Sequence, residues 1–202
     1  MSPRRTALFG LVVSLLVLPL RTLATTVVAP DFNTLVDQAD YVVRAVVKSV
    51  TSEWRENDGQ RFIATLVELD VREVIKGTPP SPLVLDLVGG RVGTDELVVE
   101  GVPKFLVGDE DILFVQGNGR QIYPLVGMMH GRYPIFRDAK TGEKYVLRSN
   151  GMPLYSEQDV SLPMTRLSPV KMQNAQAKPM TADSFIKLIR ATSPAARPPL
   201  QN

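Results

Sequence analysis

The stretch from Phe62 to Gly77 constrains the fold more than any other part of this chain. Within it, Val67, Leu69 and Val71 alternate with charged residues. A period of two is typical of a β-strand that has one buried face and one solvated face. The segment 77–80 reads G-T-P-P and ends the strand, because proline cannot donate a ladder hydrogen bond. The sequence therefore predicts a long antiparallel strand at the centre of a small β-barrel.

A partner for this strand is predicted immediately upstream. The segment from Tyr41 to Val50 is rich in valine, and its side chains alternate between an apolar face and a mixed face, as in a strand. The stretch from Thr51 to Arg61 is polar and contains Asn57-Asp58-Gly59, a combination that tolerates the left-handed backbone of tight turns. The two strands should form a long hairpin, with Trp54, the only tryptophan, near its tip.

Strands dominate the prediction from residue 41 to residue 148. Beyond the central hairpin, the predicted strands are Leu83 to Val88, Leu97 to Val102, Ile112 to Val115, Gln121 to Val126, Gly131 to Arg137, and Tyr145 to Leu147. Arg91 to Glu96 is predicted as a loop, and Gln121 to Val126 as the hairpin partner of Ile112 to Val115. The pair Gly89-Gly90 permits a sharp bend of the kind that closes a barrel.

Two short helices flank the strands. Asp31 can accept amide hydrogen bonds as the N-cap of a helix that runs to Ala39 and plugs one end of the barrel. Thr181 should cap a second helix, Ala182 to Arg190, which has an apolar stripe. Because a lone helix of this length is marginal in water, we expect the second helix to dock on the barrel or on a partner.

The amino terminus has the three parts of a secretory signal. Arg4 and Arg5 precede an apolar run from Ala7 to Leu20, and short residues lead to a cleavage point after Ala24. The mature chain should therefore be exported, to the periplasm or the extracellular space, without stable membrane insertion after cleavage. An uncleaved anchor is the weaker alternative, because spanning a bilayer takes about 20 apolar residues.

Charge and cysteine content exclude several classes of function. Loss of the signal would remove three of the 23 basic residues, which leaves 20 against 21 acidic ones and a net charge of about −1. Basic residues in the predicted mature chain are scattered singly, so the basic stripe of a nucleic-acid-binding protein is missing. The chain has no cysteine, which excludes disulfides, thiolate metal sites, cysteine nucleophiles and a lipobox anchor.

The chain divides into five predicted segments. They are a signal peptide at 1–24, a β-barrel domain at 25–150, a proline-punctuated arm at 151–180, a C-terminal helix at 181–190 and a disordered tail at 191–202. The arm contains Pro153, Pro163, Pro169 and Pro179 without a clear period. One folded domain with tails is the predicted organisation.

The order of elements between residues 31 and 148 resembles a known module. The run from Ala39 to Val47, a hairpin, and a strand that ends Val74-Ile75-Lys76-Gly77 are similar to the OB-like barrel of the netrin and tissue-inhibitor-of-metalloproteinase module. The chain also resembles exported bacterial domains of unassigned function, in which Phe105 to Asp109 and Gly127 to Gly131 recur in similar form, sometimes beside secreted proteases.

This resemblance implies a mainly β fold, namely an OB-like, closed or partly open antiparallel β-barrel with a short N-terminal helix and a C-terminal helix. The inhibitors of that family bind the catalytic zinc of their target through an amino-terminal cysteine. This chain has no cysteine, so no inhibitory residue carries over. An OB-like barrel hosts many unrelated activities, and the resemblance therefore implies a fold rather than a function.

His130, the only histidine, is the one side chain around which a hydrolase could be built. The chain has no G-x-S-x-G motif to supply a nucleophile, and one histidine without cysteine does not make a zinc site. The triplet Asp109-Glu110-Asp111 could attract calcium, but its spacing does not match an EF-hand and a solvated turn is favoured. We predict no metal site.

Three other patterns favour structural interpretations. Glu68 and Asp70 lie on the same side of the central strand, where an exposed charged face is favoured over a pair of glycosidase carboxylates. The segment 89–93 is rich in glycine but lacks the P-loop lysine. The aromatic residues of the last strands could form a stacking platform, but core packing is favoured because few basic residues surround them; they are Tyr123, Tyr133, Phe136 and Tyr145.

The sequence therefore predicts an exported, non-enzymatic binding or accessory protein. Its partner is expected to be a protein or a component of the cell envelope, with no nucleic acid and no cofactor involved. The residues predicted to contribute to binding are Trp54, Arg91 and His130, and no catalytic residue is predicted. A protease-inhibitor-like module and a hydrolase that uses His130 stay open as alternatives.

Overall fold

A computed structural model describes residues 28–57, 59–164 and 178–193. The predicted signal peptide, with Arg4 and Arg5, lies outside these residues. So do residues 165–177 of the predicted arm and 194–202 of the predicted tail.

The described residues form eight β-strands, two α-helices and two short 3₁₀ helices. The strands are β1 (Tyr41–Asn57), β2 (Gln60–Lys76), β3 (Leu83–Val88), β4 (Gly90–Val92), β5 (Asp95–Leu97), β6 (Glu110–Val115), β7 (Arg132–Arg137) and β8 (Lys144–Val146). The α-helices are α1 (Phe32–Gln38) and α2 (Ala182–Thr192), and the 3₁₀ helices are Met128–Gly131 and Glu157–Ser161.

Six of these strands form one antiparallel sheet in the order β3-β2-β1-β6-β7-β8, and β4 pairs with β5 in a separate small ladder. The prediction of a mainly β, antiparallel fold with two helices is confirmed. In the described part of the chain, no strand joins the edge strands β3 and β8. Closure into an OB-like barrel therefore stays a prediction.

The central hairpin is longer than the sequence pattern indicates. β1 and β2 are 17 residues each and pair from Val42 opposite Lys76 to Asn57 opposite Gln60. The prediction that the first strand ends at Val50 is wrong, because polar cross-strand pairs such as Ser52 and Thr65 continue the ladder. Register shifts along β1 mark bulges, which bend and twist a hairpin.

Both faces of the sheet are buried at the start of β1, because neighbouring residues of this strand contribute to opposite sides. Val42 belongs to a helix-covered core, together with Ile112, Phe114, Tyr133 and residues of both α-helices. Val43 and Ala45 belong to a loop-covered core on the other face. The other members of the loop-covered core include Val47, Val67, Leu69, Leu83, Leu85, Leu87, Phe105, Leu113 and Val115.

Each α-helix begins at the predicted cap. Asp31 accepts a hydrogen bond from the backbone N–H of Thr34 at 2.7 Å, and Thr181 accepts one from the backbone N–H of Ser184 at 3.2 Å. On α2, Phe185 is fully buried, and its ring centroid lies 4.9 Å from that of Tyr133. The expectation that this helix docks on the strands is confirmed. It extends to Thr192, two residues beyond the predicted end.

Residues 151–164, from the predicted arm, also contribute to the interior. Leu154 and Val160 are fully buried in the helix-covered core, and Leu147 forms an isolated bridge with Pro153. Ser156 and Asp159 form a capping box at the second 3₁₀ helix. This part of the segment therefore packs against the sheet.

Three predicted elements are wrong. Arg91 to Glu96 is not a loop but most of the β4–β5 hairpin, and Leu97 to Val102 is not a strand beyond its first residue. Gln121 to Val126 makes only one bridge to β6, between Leu125 and Val115, because Pro124 has no N–H to donate to a ladder. β7 pairs with β6 instead.

Candidate functional site

The three residues predicted to bind a partner lie in different parts of the structure. Trp54 lies on the distal part of the β1–β2 hairpin, opposite Ile63, and is 40% exposed. The guanidinium carbon of Arg61 lies 4.7 Å from the centroid of its ring, within the range of a cation–π contact. Trp54 lines neither of the two cavities described below.

Arg91 lies on the β4–β5 hairpin, at the edge of a groove. Its Nη2 donates a hydrogen bond to Oε2 of Glu96 at 2.7 Å, and both side chains are exposed. This hydrogen bond and the positive charge of Arg91 lower the pKa of Glu96. The charges of Arg91 and Glu96 therefore largely compensate each other, and Lys104 is the other charged residue in the lining of the groove.

The groove next to Arg91 has a volume of 310 Å³ and lies over the loop-covered core. Its floor is formed by β1, β2 and β3, and its wall by the β4–β5 hairpin and residues 98–106. The lining is mainly apolar and includes Val50, Val67, Leu87, Val99, Val102 and Phe105. Ligand sites are typically concave and mainly apolar, with volumes of roughly 300–1,000 Å³. We call this cavity the apolar groove.

Two hydroxyl groups lie in the floor of the apolar groove. The Oγ1 of Thr65 donates to the backbone oxygen of Gly89 at 2.6 Å, so it accepts from the Oγ of Ser52 across 2.9 Å. A Cβ on Gly90 would lie 2.2 Å from this Oγ1, and Gly90 has a φ of +129°. Glycine at this position therefore allows the β4–β5 hairpin to approach the floor closely.

Apolar surface continues beyond the apolar groove. Val98 and Leu106, on its wall, are 71% and 68% exposed, and the adjacent Val107 is 68% exposed. Exposed apolar residues that adjoin one another mark interaction surfaces, whereas single ones are common on any protein. We call Val98, Leu106 and Val107 the apolar rim.

A buried ion pair holds residues 104–109, the segment that contains Leu106 and Val107 of the apolar rim. Arg132 donates through Nε to Asp111 at 2.9 Å, pairs through Nη2 with Asp109 at 2.8 Å, and donates through Nη1 to the backbone oxygen of Lys104. Its guanidinium carbon lies 4.4 Å from the centroid of the Phe105 ring. Burial raises the pKa of Asp111, although the positive charge of Arg132 opposes this shift.

The acidic triplet of residues 109–111 does not converge on one point. Asp109 and Asp111 contact Arg132, whereas Glu110 accepts hydrogen bonds from Arg44 at 2.7 Å and Lys144 at 2.6 Å. Successive residues of a strand face opposite ways, which separates these carboxylates. The described residues contain no group of three or more histidine, cysteine, aspartate or glutamate side chains placed to hold a metal ion.

The carboxylates on the solvated side of β2 each contact a cation. Lys48 donates to Glu68 at 2.6 Å, and Arg72 lies 3.0 Å from Asp70. The hydrogen bond from Lys48 lowers the pKa of Glu68. A glycosidase acid needs a raised pKa, so this arrangement does not favour glycoside chemistry.

His130 lines a second cavity, at the 3₁₀ helix Met128–Gly131. It is 3% exposed, and its Nδ1 has no hydrogen-bond partner among the described residues. Burial and the positive charge of Arg148 lower the pKa of the imidazole, so the ring is mainly neutral at pH 7. The cavity wall contains Ser161 but, in the described residues, no carboxylate that could orient a catalytic histidine.

The aromatic residues of the last strands do not form one platform. Tyr133 is fully buried and packs against Phe114 and Phe185, which agrees with the interpretation of core packing. Phe136, in contrast, is 53% exposed, and Tyr145 is 8% exposed. Tyr133 is therefore inaccessible to a stacking ligand.

The sequence singles out Arg91, which lines the apolar groove, but does not predict the groove itself. The groove is assembled from β1, β2, β3 and residues 89–106, which are far apart in the chain. A local signal was present in Val98-Val99 and Leu106-Val107, two apolar pairs that lie outside any alternating pattern among glycine, proline and charged residues. Such pairs are expected either in a core or on a binding surface.

In comparisons with known proteins, neither a family model nor a curated protein nor a solved structure matches this chain. Within residues 28–57, 59–164 and 178–193, no helix has the length and apolar character needed to cross a membrane. The function of the protein is therefore inferred from the geometry of its own residues.

Proposed function

We propose that this protein is an exported, non-enzymatic binding module that holds an apolar segment of a partner protein in the apolar groove. The observation that supports this function is the continuity between the apolar groove and the apolar rim of Val98, Leu106 and Val107. The signal-like amino terminus, with Arg4 and Arg5 ahead of the apolar run from Ala7 to Leu20, supports export.

The shape of the surface favours a protein segment over a small molecule. A small ligand is largely enclosed by its pocket, whereas the apolar rim is more than half exposed and lies at the margin of the cavity. Protein interfaces commonly combine a central pocket for anchoring side chains with a surrounding surface that excludes water. The apolar groove and the apolar rim fit these two parts.

We also propose that the sheet curls into a partly open, OB-like barrel around the loop-covered core. The loop after β6 supports this proposal, because it reaches the edge of β3. Asn118 donates to the backbone oxygen of Val84 at 2.7 Å, and its Oδ1 accepts from the N–H of Asp86 at 3.2 Å. The N–H of Val88 donates to the backbone oxygen of Ile122 at 3.4 Å.

Paired variants of exposed residues test the binding function. Leu106→Glu places a charge on the apolar rim, and Phe136→Glu places the same charge on an exposed residue of β7 that is not part of the groove. An environment-sensitive apolar dye should bind the wild-type protein and Phe136→Glu equally. It should bind Leu106→Glu about tenfold more weakly, because burial of a charge against apolar groups is unfavourable.

The same proteins, immobilised, should be compared in capturing partners from the secreted and envelope fraction of the source organism. A partner retained by the wild type and Phe136→Glu but released by Leu106→Glu would support the function. If dye and partner bind Leu106→Glu as they bind the wild type, the proposal is wrong. A partner released by Trp54→Ala alone would overturn it too, because the site would then lie on the hairpin. Circular dichroism and urea unfolding verify that each variant is folded.

A further inference from the structure

The second cavity has a volume of 570 Å³, and several of the side chains that line it carry a sulfur or nitrogen atom that can bind a soft metal ion. In the described part of the chain its wall contains Met128, Met129, His130 and Met164. Met128, Met129 and His130 are consecutive in the sequence, and the fold brings Met164 from a distant part of the chain to the same cavity. We call these four residues the methionine–histidine cluster.

Gly101 brings two of the thioether groups together. A Cβ placed on Gly101 would lie 2.9 Å from Cε and 3.7 Å from Sδ of Met128, and 3.9 Å from Cε of Met129. The ends of both side chains therefore lie next to Gly101. Met128 itself has a φ of +58°, in the left-handed region that residues other than glycine seldom adopt.

His130 presents a nitrogen that is buried and unpaired. Buried polar atoms in proteins are generally hydrogen-bonded, and an exception needs a physical explanation. Among the described residues, Nδ1 of His130 has no hydrogen-bond partner, and the backbone of Val160 is a polar group that acts on the ring. Imidazole binds metal ions through a ring nitrogen that carries no proton.

The charges around this cavity select the kind of cation. In the described residues the wall contains no carboxylate, whereas hard cations such as calcium and magnesium require oxygen ligands. The charged group that acts on His130 is Arg148, which is itself 1% exposed and repels a divalent ion more strongly than a monovalent one. Thioether sulfur is the ligand type that selects Cu(I), and imidazole also binds copper.

We propose that the methionine–histidine cluster binds one Cu(I) ion through Nδ1 of His130 and the sulfur atoms of Met128, Met129 and Met164. All four ligands coordinate through lone pairs, and no electron is transferred. This site is separate from the apolar groove, and it can be present whether or not the proposed binding function is correct.

The test is an anaerobic titration of the whole mature protein with Cu(I), in competition with a chromogenic Cu(I) chelator. We expect one ion per chain. Ag(I), which is also monovalent and soft but does not change its oxidation state, should shift the NMR signals of the methyl groups of Met128, Met129 and Met164. The methyl signals of Met152 and Met180, which lie outside the cavity, should stay in place.

Matched methionine variants distinguish ligation from packing. Met128→Leu and Met129→Leu keep similar apolar volume but remove sulfur, and each should weaken Cu(I) binding by at least about tenfold. Met152→Leu should bind as the wild type does. His130→Asn, a neutral polar replacement, should weaken binding while urea unfolding verifies that the variant is folded.

Three outcomes would overturn the proposal. The wild type fails to compete with the chelator, or the double variant Met128→Leu, Met129→Leu binds Cu(I) as tightly as the wild type. Alternatively, X-ray absorption of the Cu(I)-loaded protein shows only oxygen and nitrogen neighbours. Sulfur neighbours together with a nitrogen neighbour would support it.

Discussion

Arg132 and Asp111 form an ion pair in the interior, with Nε of Arg132 2.9 Å from Oδ1 of Asp111. Asp111 is fully buried and Arg132 is 7% exposed. The pair joins β6 to β7, and through Asp109 and Lys104 the same guanidinium fixes the segment that contains Leu106 and Val107 of the apolar rim. One buried cation therefore links the stability of the sheet to the position of the candidate binding surface.

Removing the charge of Asp111 should destabilise the protein strongly. Asp111→Asn leaves the buried Arg132 with only Asp109 as a charged partner, and breaking a buried pair costs about 3 kcal/mol or more. Asp70→Asn is the control, because it removes an exposed pair with Arg72 that contributes less than about 1 kcal/mol. Urea unfolding measures both variants, and equal losses of stability would contradict this account.

Glu110 should contribute a pH-dependent stability. Its burial raises the pKa, but hydrogen bonds from Lys144 and Arg44 outweigh this effect and hold the pKa below the ordinary value of 4.5. Because the unfolded chain then binds the proton more tightly, Glu110 stabilises the fold above pH 4.5, and this contribution is lost as the pH falls through the folded-state pKa.

The stability difference between the wild type and Glu110→Gln should therefore shrink on acidification from about pH 6 to about pH 3. Urea unfolding at intervals across this range measures the difference. A difference that stays constant, or that grows as the pH falls, would be incompatible with a lowered pKa for Glu110.

Gly90→Ala should be more damaging than Gly93→Ala. Both glycines have positive φ, but a Cβ on Gly93 has nothing within 4 Å, whereas one on Gly90 would clash with Thr65 and Ser52. Gly93→Ala therefore introduces backbone strain without overlap, about 1–2 kcal/mol, whereas Gly90→Ala combines the strain at a φ of +129° with the steric overlap. Thermal unfolding compares their stabilities, and dye binding shows whether the β4–β5 hairpin moves away from the groove. Similar losses in the two variants would count against close packing at Gly90.

The carboxyl-terminal helix should be required for the stability of the sheet. Phe185→Ala empties a fully buried position against Tyr133 and should cost about 3–5 kcal/mol, whereas Phe136→Ala, at a position 53% exposed, should cost far less. A chain that ends at Asn150 loses Leu154, Val160 and Phe185 from the same core and should not unfold cooperatively. A truncated chain with wild-type unfolding behaviour would show that these contacts are dispensable.

The hairpin and the helices could be predicted because their signals are local. The alternation in Val67, Leu69 and Val71, and the cap residues Asp31 and Thr181, each act within a few positions of the chain. The extent of the hairpin could not be predicted. Ser52 and Thr65 are polar residues of a kind common in loops, and their pairing across the hairpin leaves no signal in the local sequence.

The sheet order and the apolar groove depend on distant segments, which one sequence does not bring together. Leu125 and Tyr133 both follow β6 and both have strand-like neighbours, but only the β7 segment of Tyr133 forms the ladder. Val98 and Leu106 could equally have been core residues. Their exposure depends on the position of the β4–β5 hairpin over the floor of the groove, which the local sequence does not determine.

Because β1 is buried on both faces, it couples the stability of the two cores. Val42 belongs to the helix-covered core and Val43 to the loop-covered core, although the two residues are consecutive in the chain. Loss of β1 would disrupt both cores at once, so the two halves should unfold in one cooperative transition. The amide protons of residues 42–45 should then be the slowest to exchange with deuterium, since only global opening exposes them.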